Sequence, residues 1–137
     1  MNSPERLIAE NGFYAATVHG DSMEPLLTNH RDTVYIEPAA EYRKRDVVLF
    51  RRADGQLVLH RLIGCDKNGL WACGDNDFHP EAVLPSQILG VMTEFTRNGR
   101  TVSVRSFGYR LYSRVWSFSL PTKRLLHGIR RLGRRRE

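Results

Sequence analysis

Lysine is scarce in this chain, at three of 137 residues against eighteen arginines. Lys44 and Lys67 fall in predicted turns and Lys123 in the tail, so none stands on an apolar strand where burial would deprotonate it. That disfavours chemistry built on a neutral lysine base. Cysteine is rarer still. Cys65 and Cys73 lack metal-ligand spacing, and across a tight 66–69 hairpin Cys65 faces Leu70 while Cys73 faces Leu62. Both are read as free buried thiols. His19, His30, His79 and His127 show no metal-site spacing either, so no metal and no cofactor are expected. No run approaches the ~20 apolar residues that cross a bilayer. Nor is there a signal peptide, because Glu5 and Glu10 flank only Leu7-Ile8-Ala9. The expected location is the cytoplasm, with any membrane contact peripheral.

Acidic residues are nearly absent from one end. Residues 97–137 hold twelve Lys/Arg and one acid, whereas residues 1–96 hold nine Lys/Arg and fourteen acids. An acidic body carries a basic tail, and arginine in such excess suits anionic or phosphate-bearing surfaces. A hydrophobic content of 41% fits an ordinary folded core rather than a disordered chain. The length allows one domain with an appended segment.

Residues 1–12 read as a short leader with a helical turn opened by Ser3-Pro4-Glu5. Residues 13–19, 33–37, 46–52, 57–64 and 70–73 are short β-rich runs bounded by Gly, Asp, Asn or Pro. Asp54-Gly55 closes one hairpin, and Asn98-Gly99 joins 90–97 to 100–106 in another. The pattern predicts a mostly-β domain over 1–106 and a basic amphipathic helical tail over 107–137. In that tail Phe107, Leu111, Val115 and Phe118 fall at helical spacing, Trp116 adds to their face, and Pro121 interrupts. Leu125, Leu126, Ile129 and Leu132 then form a stripe among seven Lys/Arg. A solvated tail, packing on the acidic body, an anionic membrane and nucleic acid all compete for it. Trp116 and the aliphatic stripe favour lipid, since phosphate binding alone needs no apolar face.

Three boxes carry the chemistry. Gly20-Asp21-Ser22-Met23-Glu24-Pro25 comes first, Leu57-Val58-Leu59-His60-Arg61-Leu62 second, and Gly74-Asp75-Asn76-Asp77 third. Arg45-Asp46-Val47-Val48-Leu49-Phe50 precedes the second box. Over roughly residues 16–90 this order resembles the Ser-His branch of the signal peptidase superfamily, the archaeal and endoplasmic-reticulum type. That branch is related to the peptidase domain of self-cleaving SOS-type repressors. Arg31 and Arg45 stand where the family usually has glycine before aspartate, which predicts turns that need no positive φ.

The resemblance implies a mostly-β serine endopeptidase that binds an extended peptide along a strand edge and cuts it through an acyl-enzyme. Ser22 would be the nucleophile and His60 the general base, able to act at neutral pH without the desolvation a lysine needs. The backbone N–H of Ser22 would serve the oxyanion, and Met23 would pack at the cleft floor. Three acids compete to orient His60: Glu81, six residues past the turn aspartate as in the family, then Asp75, then Asp77. Two rival readings remain. One is a catalytically silent peptide-binding member of the same fold. The other is a regulator: a self-cleaving one is disfavoured because twenty-one residues before Ser22 are too few for helix-turn-helix plus a cleavage loop, while the basic tail keeps nucleic-acid binding open as the weaker alternative.

Overall fold

The structure, a computed structural model, describes residues 3–20, 22–24, 26–27, 31–67, 69–76 and 79–118. The expected leader turn extends to helix α1 (Pro4–Asn11), because both of its ends are capped. Ser3 Oγ accepts from Arg6 N at 3.3 Å, Pro4 takes the first helical position, and Gly12 closes the helix at φ 83° with its N–H on Ile8 O. Glu5 accepts two hydrogen bonds from Arg51, which ties the helix to the sheet.

Eight strands form one antiparallel sheet: β1 (Tyr14–Thr17), β2 (Thr33–Glu37), β3 (Val47–Arg51), β4 (Leu57–Asp66), β5 (Gly69–Cys73), β6 (Glu81–Val83), β7 (Ile88–Arg97) and β8 (Arg100–Ser103). The order is β1-β2-β7-β3-β4-β5-β6, with β8 also on β7. The expected mostly-β fold is the one observed. Asn98 at φ 51° and Gly99 at φ 77° make the β7–β8 turn, as the Asn-Gly pair predicts. β6 has no counterpart among the predicted strands. It is three residues long, closely framed by Pro80 and Pro85, and too short for a period-two pattern to register.

The sheet curls around two apolar clusters. Val18, Met23, Leu27, Val34, Ile36, Val47, Leu49, Met92 and Phe95 build one. Val48, Phe50, Val58, Leu62, Leu70, Ala72, Val83 and Ile88 build the other. Side chains alternate along a strand, so β3, buried on both faces, feeds both clusters in turn. Helix α2 (Phe107–Phe118) follows β8, and Tyr109 joins the first cluster.

Two sequence expectations need correction. Arg45 holds φ 81°, so its turn does require the left-handed region despite the missing glycine. Its N–H donates to Leu62 O at 2.7 Å and its carbonyl accepts from Arg61 Nη1 at 3.0 Å. These bonds fix a conformation that costs a non-glycine residue about 1–2 kcal/mol. A bulge between Leu62 and Gly64 also shifts the register, so that Cys65 faces Leu70 as expected but Cys73 faces Arg61 rather than Leu62. Both thiols are free, yet only Cys73 is buried; Cys65 is exposed.

Candidate active site

The serine turn is held by its neighbours on both sides. Met23, 2% exposed, anchors it in the first apolar cluster, and Leu27 N donates to Met23 O at 3.0 Å. From the turn that follows β5, Asn76 N donates to Ser22 O at 2.7 Å and Asp75 N donates to the Met23 sulfur at 3.4 Å. The first and third boxes are thus joined by one backbone bond and by one bond to the Met23 side chain.

His60 lies on β4 opposite Val48 of β3, 5% exposed, its ring centre 6.1 Å from that of Phe50 in an edge-on arrangement. Gly74 brings it to Ser22. A methyl group added at Gly74 would lie 3.1 Å from Ser22 Cβ, 3.2 Å from His60 Nε2 and 2.5 Å from Ser22 O. The serine Cβ and the imidazole Nε2 therefore both approach one point, and only glycine leaves that space open. The third box acts here through an absent side chain as much as through its aspartate.

The other imidazole nitrogen faces Glu81, the first residue of β6. His60 Nδ1 is 3.4 Å from Glu81 Oε1, the separation of an ion pair once the ring is protonated rather than of a short hydrogen bond. Arg52 grips the same carboxylate as a fork, with Nη2 2.7 Å from Oε1 and Nε 3.1 Å from Oε2. Arg52 Nη1 also donates to Gln56 Oε1 at 3.0 Å. Arg52 carries no sequence signal, because it follows β3 as an ordinary hairpin arginine.

Asp75 faces elsewhere. Alternation turns Arg61 to the face opposite His60, and its Nε and Nη2 each donate to an Asp75 oxygen at 2.8 Å, both side chains fully buried. Arg61 Nη1 donates to Tyr109 OH at 3.0 Å, and Tyr112 OH donates to Asp75 Oδ2 at 2.8 Å. The guanidinium lies over both phenol rings, 5.5 and 5.6 Å from their centres. Burial alone would lower the Arg61 pKa, but the bonds and charge of Asp75, with help from Tyr109, hold it above the ordinary arginine value. Burial and the adjacent Asp75 charge raise the Tyr112 phenol far above its usual range, so it stays a neutral donor. Asp77, the third candidate acid, lies outside the described residues, as does the 121–137 stripe.

No group of three or more His, Cys, Asp or Glu residues able to hold a metal occurs among the described residues, and no helix among them is long and apolar enough to cross a membrane. The arrangement gathers Ser22 and His60 about Gly74, with the clamped Glu81 carboxylate beside the other imidazole nitrogen. A family model described as Peptidase S24-like matches residues 1–93. No curated protein matches the chain.

Proposed function

Because the chain belongs to the Peptidase S24-like family, the family of signal peptidase I and SOS-repressor-like peptidases, we propose that it is a serine endopeptidase that cuts a peptide or leader through a Ser22 acyl-enzyme, with His60 as general base. The observation that carries this reading is the approach of both Ser22 and His60 Nε2 to Gly74. Nε2 takes the hydroxyl proton as Ser22 Oγ attacks the scissile carbonyl. The Ser22 N–H receives the developing oxyanion. The imidazolium then protonates the leaving amine, and a water deprotonated by His60 releases the acyl group. Glu81, beside Nδ1, stabilises the imidazolium, and the fork of Arg52 holds that carboxylate in place.

An open strand edge supports an extended substrate. Leu57–His60 pair with β3 on one side, while β5 joins β4 only from Arg61 onward. Among the described residues no strand covers the other edge of 57–60, so a peptide added there would lead its backbone towards Ser22.

The test is co-expression of the intact chain, Ser22→Ala and His60→Ala with candidate leader peptides, scored by mass spectrometry. Each substitution is expected to lower cleavage by about 10⁴-fold or more while the melting transition stays cooperative. Unchanged turnover in either variant would sink the mechanism. Failure of the folded wild-type protein to label at Ser22 with a fluorophosphonate would favour the silent peptide-binding reading.

A further inference from the structure

The face of α2 that does not meet the sheet is apolar and open. Phe107 is 82% exposed, Leu111 52% and Val115 58%, and they follow one another at helical spacing along one side. Such a row of large apolar side chains on a helix marks a surface that meets something other than water. Arg110 and Arg114 border this row. They also line a cleft of about 170 Å³ together with Arg43, Lys44 and Arg45. Asp46 is the single acid in that lining, and its Oδ2 already accepts from Arg43 N at 2.8 Å. No salt bridge from Arg45, Arg110 or Arg114 forms among the described residues.

Arg45 supplies an independent observation. Its backbone bonds account for the φ of 81°, a conformation glycine would adopt without strain, but they leave the choice of side chain unexplained. Arg45 is one of the residues that line the cleft. An arginine at a position whose backbone favours glycine points to a use for the cation.

We propose that this face of α2 and the adjoining cleft dock on an anionic phospholipid bilayer. Phosphate-bearing headgroups enter the arginine-lined cleft, and Phe107, Leu111 and Val115 enter the acyl boundary. The chemistry disfavours the other occupants. A second copy would oppose Arg110 and Arg114 to their own equivalents, and the chain's own 121–137 segment, with seven Lys/Arg and one acid, is of the same sign. Nucleic acid would satisfy the cleft and leave the apolar row in water. An acidic peptide helix would need an apolar groove, and this row stands outward on a helix. The site goes beyond the peptidase reading and is tested without turnover.

The full chain is sedimented with phosphatidylcholine vesicles, with mixed phosphatidylcholine–phosphatidylglycerol vesicles, and titrated with an oligonucleotide. Binding is expected to the mixed vesicles, little to the neutral ones, and less as salt rises. Arg45→Gly relieves the turn, so its melting temperature is expected not to fall while vesicle affinity drops about fivefold. Leu111→Ser, at an exposed site, is expected to lower affinity about tenfold without unfolding the protein. Wild-type vesicle affinity in both variants overturns the proposal. So does tighter binding to the oligonucleotide than to the mixed vesicles.

Discussion

Asp75 and Glu81 carry the same functional group, and their neighbours divide the work between them. Asp75 neutralises an arginine that is 0% exposed, so Asp75→Asn would leave Arg61 charged and buried without its carboxylate. Removing one partner of a buried pair costs about 3–5 kcal/mol, which should appear as a lowered urea midpoint. The Glu81–Arg52 pair is about one-third exposed on each side, so its loss costs about 1 kcal/mol or less. Glu81→Gln is therefore expected to melt nearly as the wild type while kcat falls by about 10²- to 10⁴-fold. Loss of turnover at an unchanged urea midpoint in Asp75→Asn, with Glu81→Gln active, would exchange the two roles. Spacing along the chain ranks Glu81 first only through the family resemblance, because Asp75, Asp77 and Glu81 all lie close behind β5. What separates Asp75 from Glu81 is Arg61 on one face of the sheet and Arg52 at the end of β3, and neither position is visible without the register.

Helix α2 shows how a correct period can leave the inward face undetermined. The repeat of Phe107, Leu111 and Val115 identifies the helix, yet that side is outermost and Tyr109, Tyr112 and Ser113 turn inward. The physical reason is the buried Arg61–Asp75 pair, which has donor and acceptor positions left for two phenols but nothing to offer an aliphatic side chain. The helix lies beyond the family-matched residues 1–93 and still touches the turn that positions Ser22. Tyr112→Phe removes a donor to a charged acceptor and is expected to cost about 1.5–3 kcal/mol. The same substitution in an Asp75→Asn background should cost much less, because its acceptor is already altered. Equal costs in the two backgrounds would assign the loss to packing instead.

Across the whole molecule, the strands and the order of the three boxes are legible in the sequence because Asp-Gly, Asn-Gly and proline punctuate short β-branched runs. The left-handed Arg45, the bulge that shifts Cys73 opposite Arg61, and β6 are not legible, since each is imposed by pairing with a distant strand. β3 has a consequence of a different kind. Val47 and Leu49 belong to one apolar cluster, Val48 and Phe50 to the other, and both edges of the strand are paired. Neither half of the sheet can open without stripping this strand of half its cover, so both halves are expected to lose protection together. In hydrogen–deuterium exchange the amides of residues 48–50 should be among the slowest, exchanging only through global opening, with α1 and β8 exchanging first. A Val48 amide that exchanges as early as those of α1 would show that the two halves breathe separately.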